Sequence, residues 1–243
     1  MPIGDHLRDV MDLYGSPKCP HTNAVLIAAG EKGVDLNCHT EDDWGPGSSV
    51  RSMSPLGIGP ILKDRSATNI GVMSCMSYLD DKGFGPSLVH RNGVTRARMM
   101  QEIAIAAQTD CSDDAALGAA LDQLEATLNS PLGNMKGDYA VGQYTLADCA
   151  WAGVCQVATN MGKGNAVSSR AKVNSWFAAV QSHPSTSTIR QQFVFQSVII
   201  TSRHKTQTVK CSMIVVNTIL SFSCHTLDSS ALSISRILLN VSN

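Results

Sequence analysis

The spacing of apolar residues changes twice along this chain, and each change marks a different kind of structure. Up to about residue 82 the apolar runs are short and broken by turn residues. Residues 11–14 read as a strand, and Pro20 then opens a helix whose run Ala24-Val25-Leu26-Ile27-Ala28-Ala29 leads to Gly33, a suitable stop. A second strand is predicted over residues 35–40, followed by a loop rich in Gly, Ser and Pro over 41–51. Ser54-Pro55-Leu56-Gly57-Ile58-Gly59-Pro60-Ile61-Leu62 supplies two turn signals and then a third strand, and residues 64–68 turn the chain into Asn69-Ile70-Gly71-Val72. A helix is predicted from Ser74, with Tyr78 and Leu79 on its inner face. This β-α-β then β-β-α order describes a small α/β layer.

From Val94 onward the period becomes helical. Leu117, Leu121, Leu124 and Leu128 form one apolar stripe on an amphipathic helix. A loop containing Pro131, Gly133 and Gly137 follows. Thr145-Leu146-Ala147-Asp148 offers a capping box, Thr145 as N-cap and Asp148 reaching back from the third helical position, ahead of an apolar segment over 149–157. A further helix is predicted over 168–182, with Val173, Trp176, Phe177 and Val180 inward and His183-Pro184 ending it. From Phe193 to Asn243 there is no Gly and no Pro, and apolar bursts such as Val198-Ile199-Ile200 and Met213-Ile214-Val215-Val216 follow no sustained period. An exposed run of that composition tends to aggregate.

A length of 243 residues suits one large domain or two small ones, with enough apolar residues for a core. The formal net charge of -1 offers no basic field for nucleic acid or an acidic membrane surface. No segment has the apolar length of a membrane span, and Met1-Pro2-Ile3-Gly4-Asp5-His6 lacks the apolar stretch of a secretory signal, so a cytosolic protein is expected. Cys19, Cys38, Cys75, Cys111, Cys149, Cys155, Cys211 and Cys224 are scattered, with neither a dense framework nor paired zinc-ligand spacing. Free thiols and no metal are the expectation.

One of these cysteines stands apart by position. In Leu13-Tyr14-Gly15-Ser16-Pro17-Lys18-Cys19-Pro20-His21-Thr22, Cys19 falls where a strand runs into a Pro-initiated helix. Unpaired backbone N–H groups and the positive end of the helix dipole meet there, and both favour thiolate over thiol. Lys18 and His21 add nearby polar groups, His21 as a solvated residue of the first turn. Trp44, Trp151 and Trp176 are expected to pack rather than to stack on substrate.

Taken in order, four segments resemble the cytosolic glutathione transferases over residues 11–184. The opening strand and loop place Cys19 at the family's catalytic Ser or Cys. The segment from Ser54 to Leu62 is similar to the family's Asn-Pro-x-Gly-x-Val-Pro-x-Leu, with Pro60 at the cis-proline and Gly59 offering its main chain to the cysteinyl part of glutathione. Val72-Met73-Ser74 sits at the pair that holds the γ-glutamyl end, and Thr145 with Asp148 falls on the helical domain's capping box, a structural element. The resemblance implies a thioredoxin-like α/β domain over 11–83 and an all-helical domain over 94–190, with 191–243 an atypical tail. It implies glutathione as substrate, no metal, a small electrophile or disulfide as acceptor, a cytoplasmic homodimer, and no nucleic acid or membrane partner.

Two departures bear on activity. Gly59 stands where the family has Val or Ile, and Met73 replaces the acidic or amide residue that would reach the glutathione ammonium. With cysteine at the catalytic position, the resemblance points to the omega-like or dehydroascorbate reductase-like branches, and Thr22 in place of a second cysteine points to a one-cysteine mechanism resolved by a second glutathione. Conjugation of glutathione to an electrophile and a non-catalytic interaction module are the alternatives.

Overall fold

The computed structural model describes residues 10–65, 67–129, 137–183, 210–216 and 219–225, the last two stretches by backbone alone. Contacts divide the chain into two units, Met1–Arg190 and Gln191–Asn243. The first opens with β1 (Met11–Gly15), α1 (Pro20–Glu31), β2 (Leu36–Thr40), a short 3-10 turn (Ser49–Ser52), β3 (Ile61–Lys63), β4 (Thr68–Ile70) and α2 (Val72–Lys82). These strands form one sheet in the order β2-β1-β3-β4. β1 runs parallel to β2, with Leu13 opposite Cys38, and antiparallel to β3, with Leu13 opposite Leu62; β3 and β4 are antiparallel. Met11, Leu13 and Gly15 are buried while Asp12 and Tyr14 are half-buried, the period of two that a one-sided sheet requires. Five helices follow: α3 (Gly93–Gln108), α4 (Asp114–Asn129), α5 (Leu146–Asn160), α6 (Gly164–Ser168) and α7 (Ala171–Ser182). An α/β layer followed by an all-helical part is the architecture the sequence predicts. Among the described residues no helix is long and apolar enough to cross a membrane.

α1 and α5 make the centre of this unit. Ala24, Val25, Leu26, Ile27, Ala28 and Ala29 are all buried, so α1 has no wet face over its middle turns. α5 is buried at nearly every position from Leu146 to Ala158. A helix apolar on all sides belongs inside, which is why neither has the single stripe of a surface helix. Gly153 sets their approach: a Cβ there would lie 2.5 Å from the Pro20 carbonyl oxygen and 2.8 Å from the Ala24 nitrogen. α4 instead shows the predicted stripe, with Leu117, Leu121 and Leu124 buried and Leu128 half-exposed near the end of the helix.

The capping box forms as predicted. The Thr145 hydroxyl accepts from the Ala147 N–H, and Asp148 Oδ2 accepts from the Thr145 N–H at 2.9 Å. The other oxygen, Oδ1, accepts from the Ala140 N–H at 3.0 Å and the Trp176 indole at 2.9 Å, so one carboxylate joins the start of α5, the loop before it and α7. Complete burial pushes the Asp148 carboxyl up to about 6, against the pull of these donors. Trp151 is likewise buried, its indole donating to Glu102 on α3. Both tryptophans are packing residues.

Three boundaries differ from the sequence reading. α2 starts at Val72, two residues before Ser74, because Gly71 adopts φ 85° and turns the chain directly from β4 into the helix. The helix predicted over 168–182 begins only at Ala171: Ser168 ends the short α6 before it, and extended Arg170 (φ −106°, ψ 107°) separates the two. The Arg170 guanidinium explains the break, since it donates to Asp122 at 2.7 Å and to the Gly118 carbonyl at 3.0 Å, both on α4. In the second unit, β5 (Lys210–Val216) and β6 (Ile219–His225) pair antiparallel, Val216 opposite Ile219. The β-branched residues of 214–216 favour a strand, but no Gly or Pro punctuates the tail, so its strands had no turn signal to frame them. Pro131, Gly133 and Pro184 lie outside the described residues.

Removing the shared acceptor takes the partner from three buried N–H groups and from the Thr145 hydroxyl at once. Asp148→Ala is expected to lower unfolding stability by about 3–5 kcal/mol, read from urea denaturation, whereas Thr145→Ala, which removes only a cap, should cost about 1 kcal/mol. Equal losses from the two variants would show that the carboxylate does no more than cap α5.

Candidate functional site around Cys19

Cys19 is the N-cap of α1, with extended backbone (φ −92°, ψ 124°) and Pro20 immediately after it. Its thiol makes no capping hydrogen bond and is half-buried. The loop that delivers it is held from both sides. The Cys19 N–H donates to the Ser16 carbonyl at 3.0 Å, and the Ser16 hydroxyl donates to Asp42 at 2.5 Å. Beneath it, the buried Asn23 amide donates to the Pro17 and Cys19 carbonyls, each at 2.9 Å. Asn23 is a positioning residue that sequence reasoning missed. Its signal was a polar residue next to Thr22 at the head of the apolar run Ala24–Ala29.

The sheet brings the proline segment to the same end. Tyr14 pairs with Ile61, so the Gly15-to-Lys18 loop leaves the sheet beside Pro60. The Gly59-Pro60 peptide bond is cis, as the resemblance implies. The Pro60 carbonyl accepts from the Gly71 N–H at 2.8 Å, which ties the start of α2 to the same place. Ser54 stiffens the loop by accepting from the Ile58 N–H and donating to the Ile58 carbonyl. Among the described residues, no hydrogen bond uses the Gly59 N–H or carbonyl, which leaves that main chain open to a ligand.

Trp44 explains Gly59. A Cβ on Gly59 would collide with the benzo edge of the Trp44 ring, while the indole N–H is committed to the Glu41 carbonyl at 3.2 Å. Gly59 is therefore the partner of an indole, and the side chain that a Val or Ile would bring to this wall comes from the 41–51 loop instead. Trp44 packs, as predicted, but beside the site rather than in the core.

The residues expected to hold the γ-glutamyl end, Met73 and Ser74, lie in the first turn of α2. Ser74 is exposed, is the third residue of α2 rather than its N-cap, and donates from its hydroxyl to the Asn69 side chain at 3.4 Å. Met73 lies alongside, its sulfur accepting from Ser77 at 3.8 Å. The residue that α2 turns toward the start of α1 is Val72, which lines a narrow apolar cleft with Pro20, His21, Ala24, Ala107 and Ala150. His21 also departs from expectation. Its Nε2 sits 2.8 Å from the Ala107 carbonyl, part-buried, so it donates across to α3 rather than standing in water.

Chemistry at this site narrows to one thiol by elimination. Burial pushes Cys38 and Cys111 up to about 11 and Cys75 up to about 12, and raises Cys149 and Cys155 further still. Such thiols stay protonated and inert. Among the described residues no group of His, Cys, Asp and Glu could hold a metal ion.

No family model matches the chain. A stringent starvation protein A homolog from Coxiella burnetii is 31% identical over 91 residues, a match covering 37% of this chain and 44% of that protein, so less than half of the relative's length is spanned. Among solved structures, glutathione transferase F2 from Populus trichocarpa superposes with a TM-score of 0.61 at 20% identity, covering 75% of this chain and 98% of that one. FzlA from C. crescentus gives 0.63 at 18% identity, covering 74% and 91%. A serine-to-cysteine mutant of poplar glutathione transferase F1 gives 0.61 at 21% identity, covering 75% and 97%.

The indole and the glycine should behave as a pair. Gly59→Val is expected to push Trp44 outward and shift tryptophan emission to the red, because Trp151 and Trp176 are buried too deeply to contribute to the change. The same substitution should cost about 1–3 kcal/mol by overpacking. Adding Trp44→Ala to Gly59→Val should restore most of that loss. An unchanged emission spectrum in Gly59→Val would mean that the ring does not rest on Gly59.

Proposed function

We propose that this chain, a protein with the glutathione transferase fold, is a glutathione-dependent thiol transferase that works through a mixed disulfide at Cys19. The observation that carries the reading is Cys19 itself, an uncommitted thiol at the N-cap of α1 with the open Gly59 main chain at the same end of the sheet. Gly59 pairs with the cysteinyl unit of glutathione main chain to main chain, which brings the tripeptide's sulfur toward Cys19. In a substrate R–S–S–glutathione, the Cys19 thiolate attacks the glutathione sulfur. R–S⁻ leaves and takes a proton from solvent, and Cys19 holds glutathione as a disulfide. A second glutathione thiolate then attacks the glutathione sulfur of that adduct, releasing glutathione disulfide and restoring Cys19.

A second reading has its own observation. The start of α2 presents Val72 to the cleft, with Met73 and Ser74 turned to their own neighbours, and supplies no charged side chain for a γ-glutamyl group. That favours weak glutathione binding and, at its limit, a non-catalytic module of the same fold. Conjugation to a small electrophile would need the thiol of bound glutathione to be activated by hydrogen bonding, a role for which serine serves better than cysteine.

Two measurements separate these. Among the described cysteines, iodoacetamide should alkylate Cys19 first, since the other five are held protonated by burial. Cys19→Ser should then lower glutathione-dependent reduction of a mixed disulfide by at least about 100-fold with circular dichroism unchanged, because a hydroxyl cannot carry the disulfide intermediate. Turnover unaffected by Cys19→Ser would overturn the thiol mechanism. Absence of turnover in both forms, with no retention on immobilised glutathione, would leave the non-catalytic module.

A further inference from the structure

The second unit carries two of the chain's eight cysteines, and its strand register sets them against each other. Cys211 lies on β5 directly opposite Cys224 on β6. Only positions 217 and 218 separate the paired ends Val216 and Ile219, and a connection that short closes on a hydrogen-bonded pair. The two kinds of pair then alternate down the ladder, so Val215 with Leu220, Met213 with Phe222 and Cys211 with Cys224 are the non-hydrogen-bonded ones. Cα atoms in such pairs are about 4.5 Å apart, inside the range of about 4.4–6.8 Å that a disulfide spans.

The pattern of residue types supports that register independently. The three non-hydrogen-bonded pairs share one face of the hairpin, and every residue on it is apolar or cysteine. The opposite face carries Lys210 with His225 and Ser212 with Ser223 before it turns apolar toward the connection. A slip of one residue would mix the two faces and set Cys211 against a serine or a histidine. Spacing along the sequence does not show this pairing, and only the ladder brings the two cysteines together.

We infer that Cys211 and Cys224 form a cross-strand redox pair, a dithiol that closes to a disulfide by exchange with a small disulfide such as that of glutathione and locks the β5–β6 register. One protein thiolate attacks a sulfur of the small disulfide and breaks its S–S bond. A mixed disulfide forms, and one small thiolate leaves and takes a proton. The opposite cysteine, having given its proton to solvent, attacks the protein sulfur of that adduct, and the second small thiolate leaves and is protonated. Two protein thiols are thus oxidised to one disulfide while one small disulfide is reduced to two thiols. Asp228 is the only acidic residue from 193 to 243, against Arg203, Lys205, Lys210 and Arg236, and a positive local charge favours the thiolates that the exchange needs. The lock matters because a two-stranded ladder is marginal in water by itself, and among the described residues β5 and β6 pair only with each other. A link between positions 211 and 224 removes open conformations from the unfolded ensemble, so oxidation favours the paired form and reduction releases it.

The test is to equilibrate the full chain in buffers of glutathione and glutathione disulfide, quench with an alkylating agent, and digest without reduction. Trypsin has no site between Cys211 and Arg236, so the expected product is one fragment, two hydrogens lighter than its dithiol form and unalkylated at both cysteines. A further cut after Phe222 should leave its halves joined. Moving one thiol to the other face, with Cys211→Ser and Ser212→Cys in the same chain, keeps the loop nearly as long. It is expected to lower the equilibrium constant for closure at least about tenfold, toward the millimolar effective concentration of a short flexible linker. Amide hydrogen exchange over 210–225 in the unaltered chain is expected to slow at least about tenfold on oxidation. Alkylation or lasting glutathione adducts at both cysteines across the whole range of buffers would overturn the inference, as would a disulfide from either to another cysteine. An equal constant after the thiol is moved would show a link made by a flexible segment rather than by the ladder, and overturn it too. Exchange unchanged by oxidation would overturn the lock. None of these readouts involves Cys19, so thiol transfer stands or falls separately.

Discussion

The contact of α5 with the first turn of α1 is the constraint on which the rest of the first unit depends. Gly153 lets the two backbones meet where any side chain would hold them apart by at least a methyl radius. Because α1 is buried along its middle turns and pinned at its start, Cys19 stands on a rigid base, and what freedom the site has belongs to loops. Asn23, Ser16 and Asp42 then remove most of the freedom of the loop before it. In the proposed thiol transfer, a thiol held this way would lose little entropy on meeting a substrate, which is where positioning contributes to rate.

Asp148 does for the helical part what Gly153 does for the contact with α1. One carboxylate takes N–H groups from Thr145, Ala140 and Trp176, fixing α5 against α7. A buried pair at the edge of the α/β layer has a similar role: the Lys32 ammonium lies 3.1 Å from Asp80 and donates to the Pro86 carbonyl at 2.9 Å, joining the end of α1 to α2 and the chain beyond it. Buried charges in such numbers are costly alone and tolerable only when each is met by several partners.

Local signals carried the fold in the sequence, and their reach shows why some features were legible and others were not. Proline at the start of α1, the Thr145–Asp148 box and the leucine stripe of α4 each act within a few residues, so pattern and chemistry coincide. Gly71 was readable as a glycine but not as the turn that starts α2, because positive φ is decided by what β4 and Pro60 require of the chain. That one point displaced the helix start by two residues and turned Ser74 from a cap into an exposed side chain. The role of Arg170 was hidden for the same reason, since its partners Asp122 and Gly118 are 48 and 52 positions away. Trp44 and Gly59 are the clearest case at the site. Each is unremarkable alone, and only the folded chain lays the ring where the absent Cβ would be.

These two substitutions of chemistry pull in opposite directions and together set what the site can select. A glycine beside the cis-proline frees the main chain but offers no grip, and the indole from the 41–51 loop restores a wall without restoring a polar contact. At α2, Met73 stands where the resemblance would put a charged or amide group to grip an ammonium, and a charge-assisted hydrogen bond lost there is worth about 1.5–3 kcal/mol of affinity. A site that conjugates glutathione must hold it while an acceptor arrives, so that loss falls directly on turnover. A site that exchanges disulfides is less exposed to it. In the proposed exchange a covalent bond to Cys19 would retain glutathione once it had reacted, and weak non-covalent binding would then speed departure of the product. The combination of a well-held thiol with an apolar, weakly gripping groove is therefore more consistent with exchange than with conjugation.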